Sequence, residues 1–211
     1  MYPFKKVISK ELRDDLFKFF LNPGNKPDRS RPRGVNKIIS NIDSKIISNK
    51  HVELISKWIK TADTSEKSSN SYEFKLLLRG SHDGFTPEKF HEICDKQACT
   101  VSIIKVKHSD EILGGYNPIE WKSDCSYGIT KDSFIFSFKN EEDIGDYILS
   151  RVNNEKHAIN NWFDHGPSFG SDLSTFSSGG YYKKWDYEKR VRETDGKFPV
   201  EDYETFQIIQ K

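Results

Sequence analysis

Residues 101–116 read VSIIKVKHSDEILGGY, and this stretch decides the fold class. Ile104 and Val106 alternate with Lys105 and Lys107, the period of two that a half-buried strand requires. His108-Ser109-Asp110 supplies turn chemistry and Ile112–Tyr116 returns as an apolar run, so the whole predicts a β-hairpin. Upstream, Phe74, Leu76 and Leu78 alternate along YEFKLLLR (72–79), which ends at Arg79-Gly80. Thr86-Pro87 pairs a good N-cap with proline at the first helical position. Phe90 and Ile93 follow at helical spacing and predict a short helix to about Asp95. Downstream, DSFIFSF (132–138) puts Phe134, Phe136 and Phe138 on one face and Ser133 and Ser137 on the other. Further short strands are predicted at Tyr147–Val152, Ala158–Phe163 and Tyr203–Ile209, with glycines 166, 170, 179 and 180 between them. No internal repeat is visible. Many short strands with few helices predict an α+β, mostly β fold: two packed antiparallel sheets, a β-sandwich, flanked by short helices.

The N-terminal third has a different texture. Leu12, Leu16, Phe19 and Phe20 predict a helix over 7–21, which Asn22-Pro23-Gly24 stops. Residues 22–36, rich in Pro, Gly and Arg, read as a linker. After Asp43 a strand-like Lys45–Ile47 leads into a second helix at about 50–60, where Val52, Ile55 and Ile59 share a stripe and Leu54 precedes Trp58 by four. The Ser/Thr-rich run TADTSEKSSNS (61–71) contains no core residue and marks the clearest boundary. The expected organisation is a small helical, basic appendage (1–60), a linker (61–71) and a β-rich domain (72–211).

Composition bounds the function classes. The 211 residues include fifteen Phe, nine Tyr and four Trp, enough for a sizeable core and too many for a disordered chain. No run approaches the ~18 apolar residues of a membrane span, and Met1–Lys10 has no signal-peptide stretch. Three cysteines, Cys94, Cys99 and Cys125, are too few for a disulfide framework and fit a reducing compartment, hence a cytoplasmic location. The net charge of +1 conceals an asymmetry: residues 1–60 hold 14 Lys/Arg against 6 Asp/Glu, and residues 61–211 hold 19 against 26. Lys26, Arg29, Arg31, Arg33 and Lys37 could meet an acidic partner, but the segment reads first as a solvated linker. It lacks the aromatic platforms of single-strand binders, which argues against nucleic acid. His91, Cys94, Cys99 and His108 have poor spacing for structural zinc, so no metal or other cofactor is expected.

The ordered set YEFKLLLRGSHDGFTPEKFHEICDKQ (72–97), IIKVKHSDEILGGYNP (103–118), DSFIFSF (132–138), GPSFG (166–170) and VEDYETFQI (200–208) resembles the TLDc domain, over about residues 72–209. It looks most like the TLDc domains of fungal BTB-domain proteins, where a segment like IDSKIISNKHVELISKWI (42–59) often lies just upstream. No BTB region is seen here and residues 1–21 resemble at most the tail of a BACK-type region, so functions of BTB are not implied. The resemblance implies two packed antiparallel sheets flanked by helices. It also implies an association with oxidative-stress protection and, for several members, binding to the vacuolar proton-pumping ATPase. No catalytic mechanism is established for the family.

Under this reading Gly80, Asp83, Gly84, Phe85, Gly114, Gly115, Tyr116 and Gly170 are structural. Gly84 suits a turn with positive φ and Gly114-Gly115 a bulge or close backbone approach, while Phe85, Tyr116 and Phe169 are expected to plug the core. Ser81-His82-Asp83 spells a triad in consecutive positions, which cannot make triad geometry. Asp164-His165-Gly166 reads first as a surface turn, with a general base as the alternative. The acidic cluster Glu201, Asp202 and Glu204 is the candidate site, Glu204 matching the family's ending as Glu204-Thr205-Phe206. Such carboxylates can bind a partner, do acid–base work, hold a cation, or form buried ion pairs with Arg79, Arg190 or Arg192. Three functions follow: a non-catalytic interaction module, an adaptor using the basic N-terminal arm, or a hydrolase or peroxide-consuming enzyme using the carboxylates or a thiol.

Overall fold

A computed structural model describes residues 41–62, 71–140, 144–177 and 179–211. The expected helix 7–21 and linker 22–36 lie outside the described residues, as does most of the 61–71 stretch. The described residues belong to one compact unit, Asn41–Lys211, and the boundary expected near residue 72 falls inside it.

The strands are predominantly antiparallel ladders. β1 (Tyr72–Arg79), β2 (Thr100–Val106), β3 (Ile112–Asn117), β5 (Phe134–Phe138), β6 (Tyr147–Arg151) and β12 (Val200–Gln210) form a six-stranded sheet in the order β1-β12-β2-β3-β5-β6. β8 (Ser168–Phe169), β9 (Leu173–Phe176), β10 (Gly179–Tyr182) and β11 (Gly196–Phe198) form a second sheet in the order β11-β10-β9-β8. β4 (Tyr127–Gly128) and β7 (Ile159–Asn160) pair as a short ribbon. The Ala158–Phe163 strand is thus shorter than expected. The three α-helices among the described residues are α1 (Asn49–Ala62), α2 (Gly80–Asp83) and α3 (Pro87–Cys94). Thr86 caps α3 as anticipated, its side chain accepting from Lys89 N at 3.3 Å.

Both faces of the six-stranded sheet are covered. Ile104, Leu113 and Ile135 meet Leu173, Tyr182 and Phe198 of the second sheet, with Phe90 and Trp121 beside them. The opposite face presents Val101, Ile103, Phe134, Phe136, Phe138 and Phe206 to Ile55, Trp58 and Ile59 of α1. Trp58 sits 5.4 Å from the Phe136 ring and 5.8 Å, stacked, from that of Phe138. Double coverage explains why every residue of β2 is buried, Lys105 included, although the alternation predicts a solvated lysine row. It also explains why the helix at 49–62 is part of the domain: its apolar stripe closes the second core. Lys45–Ile47 is a bend and not a strand, because the Ser44 hydroxyl accepts from Ile46 N and Ile47 N at 3.0 and 2.9 Å.

One irregularity redirects a side chain that matters below. The register slips between Leu76 and Leu78, a bulge in β1. Phe74 and Leu76 face α1, whereas Leu78 joins the core between the sheets, so the three do not share a face as plain alternation predicts. Arg79 then lies on the α1 side, against β12.

Candidate functional site

Glu204, in the middle of β12, has a side chain that is 0 % exposed. Its Oε1 accepts from Arg79 Nε at 2.7 Å and from Lys45 N at 2.9 Å, and Ser44 Oγ donates to its Oε2 at 2.5 Å. Arg79 also donates through Nη2 to the Asp43 carbonyl at 3.0 Å and the Asp43 carboxylate at 2.9 Å. The Asp43 bond first, then Glu204, holds the guanidinium charged, above its ordinary range. The arrangement follows from the chain: the bulge aims Arg79 across to the Glu204 register position, and the Ser44 turn presents a hydroxyl and an N–H to the same carboxylate. A buried carboxylate with these three donors is a structural clamp joining residues 43–47 to two strands.

The other two acidic residues do not converge on it. Glu201 is exposed at a second register shift, between Val200 and Asp202. Asp202 Oδ1 accepts from Ser81 N at 2.8 Å and Tyr203 N at 2.9 Å, fastening α2. Arg190 and Arg192 turn elsewhere, to Asp195 at 2.6 Å and Glu111 at 2.9 Å.

Of the glycine-centred motif, Gly80 lies under the Phe85 ring and Gly84 has φ +114°, the positive value expected. Asp83 accepts from Arg79 N at 2.8 Å and meets His82 Nδ1 at 2.7 Å; that backbone bond, then His82, lowers its pKa. At Gly115 a Cβ would stand 2.6 Å from the Phe169 ring, and at Gly114 2.5 Å from Phe136. The ladder β2-β3-β5 runs in regular register here, so close approach and not a bulge requires both glycines. Tyr116 and Phe169 are buried plugs as expected, but Phe85 is 38 % exposed and roofs Gly80 and Tyr203, its ring 6.0 Å from that of Tyr203.

A buried carboxylate pair escaped the sequence reading. Asp172 accepts from the N–H groups of Trp185, Asp186 and Tyr187, and Asp186 accepts from Ser171 N at 2.9 Å and Asn154 Nδ2 at 2.9 Å. Burial raises the Asp172 pKa to about 6. Gly170, with φ +56°, brings the chain against Asp186. The only sequence signal was two aspartates fourteen residues apart, which no periodicity links.

The thiols are separate. Cys94 is buried, and burial pushes its thiol up; Cys99 is half-buried and Cys125 exposed. Among the described residues no group of three or more His, Cys, Asp or Glu could hold a metal ion, so His91, Cys94, Cys99 and His108 form no site. No described helix is long and apolar enough to cross a membrane.

The family model for the TLDc domain matches residues 40–208. This chain belongs to the TLDc domain family. The match begins at the segment that the Glu204 clamp and α1 tie to the sheet, so the TLDc unit and the compact unit coincide at their N-terminal ends. No curated protein matches the chain. Membership places the protein in a family associated with oxidative-stress protection and protein interaction.

Proposed function

We propose that this TLDc domain is a non-catalytic interaction module that binds a protein partner in oxidative-stress protection, with the vacuolar proton-pumping ATPase as the partner to test first. The observation that carries the reading is the state of Glu204. Its carboxylate is buried and engaged by Arg79, Lys45 and Ser44, and among the described residues its hydrogen bonds come from these three and not from a His or a thiol. A general base or nucleophile must reach a substrate. The family membership supports the class of function, and the ATPase is an extension of it to this chain.

The test is binding of the intact chain to the purified membrane-detached sector of the vacuolar ATPase, read by co-sedimentation and ATP hydrolysis. Association with a changed hydrolysis rate is expected. Absence of association at micromolar protein removes the ATPase as partner. In parallel, peroxide consumption should equal the buffer rate, and a cysteine-dependent excess would overturn the non-catalytic reading.

A further inference from the structure

The six-stranded sheet ends in two edges, β1 and β6, and the molecule treats them differently. In an antiparallel ladder each residue's N–H and C=O point to the same side. Lys211 N donates to Ser71 O at 2.9 Å, so Phe74 and Leu76 of β1 turn their backbone groups outward. That edge carries the bulge at Leu77, the exposed Lys75 and the Lys211–Glu73 ion pair at 2.7 Å, the devices that blunt an edge against pairing.

The β6 edge has none of these between Tyr147 and Leu149. Lys139 N donates to Asp146 O and Val152 N to Ser133 O, which turns Ile148 and Ser150 inward to β5. Tyr147, Leu149 and Arg151 therefore face outward. At Arg151 the edge is in use: Glu188 N donates to Arg151 O at 2.9 Å and Asn153 N to Asp186 O at 2.8 Å, an antiparallel bridge. Beyond that bridge the chain leaves the edge, Lys189 N donating to the Ser150 hydroxyl at 2.7 Å. No hydrogen bond joins the outward groups of Tyr147 and Leu149 to another described residue. Beside them opens a cleft of about 470 Å³, lined by apolar Phe138, Ile148 and Val191 and by Glu111, Arg190 and Arg192. Tyr147, whose ring lies 5.1 Å from that of Trp58 on the α1 face, is 41 % exposed.

We propose that the outer edge of β6 at Tyr147–Leu149 docks an extended segment of a partner protein, which adds to the sheet as a further strand and seats an apolar side chain in the adjoining cleft. Alternate outward N–H and C=O groups specify an extended backbone as the ligand, and the molecule's own 186–188 segment occupies the same edge one step further along. The inference rests on the domain being an interaction module and names the surface that does the work.

The test uses the full chain and an alternating Val/Thr heptapeptide flanked by lysines, at millimolar concentration, followed by amide hydrogen exchange. The peptide should slow exchange at Tyr147 and Leu149 by about ten-fold or more and leave Phe74 and Leu76 unchanged. A peptide N-methylated at alternate residues should do nothing, a control that leaves the protein's own stability untouched. Tyr147→Pro, which removes an outward donor outside the ladder, should abolish protection while the far-ultraviolet spectrum stays native. No protection at β6, or equal protection by the methylated peptide, overturns the proposal without touching ATPase binding. Protection at β6 that rises with protein concentration alone assigns the edge to a second copy of the chain and also overturns it.

Discussion

Replacing Glu204 by Gln tests the clamp with the smallest change of shape. The carboxylate loses its charge while fully buried, and Arg79, whose side chain is 13 % exposed, keeps among the described residues the well-solvated Asp43 as its counter-charge. The amide oxygen can still accept from Arg79 Nε and Lys45 N. The amide NH₂, however, faces a Ser44 hydroxyl that until then donated to Oε2 while accepting from Ile46 N and Ile47 N. Losing a charged hydrogen bond in place costs about 1.5–3 kcal/mol, and leaving a buried partner uncompensated moves the figure towards 3–5 kcal/mol. We therefore expect a loss of about 3 kcal/mol, which in a domain of this size lowers Tm by about 6–12 °C. Urea unfolding followed by tryptophan fluorescence measures the first and calorimetry the second. Partner binding should fall only as far as the folded fraction falls. A variant within about 0.5 kcal/mol of the parent would refute the structural assignment. A stable variant that no longer binds would promote Glu204 to the site of function.

Other outcomes follow from the same packing. A fragment of residues 72–211 should melt without cooperativity and bind a hydrophobic dye, because it uncovers Val101, Ile103, Phe134, Phe136 and Phe138; a sharp, native-like transition would restore the boundary near residue 72. Trp58→Ala should cost about 3–5 kcal/mol in chemical denaturation, since it empties the contact with three phenylalanines and Tyr147. Gly115→Ala should lower stability by about 1–3 kcal/mol through the clash with Phe169, and a neutral result would show that the ring can move. Asp172 has a folded-state pKa raised to about 6, above the ordinary carboxylate value, so the folded state holds its proton more tightly. Its contribution is complete below about pH 4 and fades as pH rises to about 6, at most 2–3 kcal/mol. Asp172→Asn should flatten that decline in denaturation midpoints, and an unchanged slope would refute the assignment to Asp172.

Much of the fold was legible in local pattern. The hairpin over 101–116, the Phe134–Phe138 face and the Thr86-Pro87 helix start each rest on neighbours within a few residues, where periodicity and capping chemistry are complete. The candidate site was only half legible. Glu204 stood out as an acidic residue in a closing strand, and Arg79 was among its expected partners, but the Ser44 and Lys45 donors come from 160 and 159 residues away. Phe85 beside Gly84 read as a core plug, yet the turn leaves it on the surface. The linker-like 61–71 run hid that the helix before it belongs to the sheet.

By itself the amino-acid order determined the strands of the six-stranded sheet and their turns, because period-two apolar patterns and turn residues act over short range, and its ordered set of motifs carried the resemblance to the TLDc domain. The strands of the second sheet between Ser168 and Phe198 had no such pattern. Only the tertiary structure decided which face each strand buries after the bulge at Leu77, that α1 closes the second core, and that Glu204 is clamped and not free. Those outcomes depend on which partner reaches a buried group first in space, and sequence separation carries no information about that.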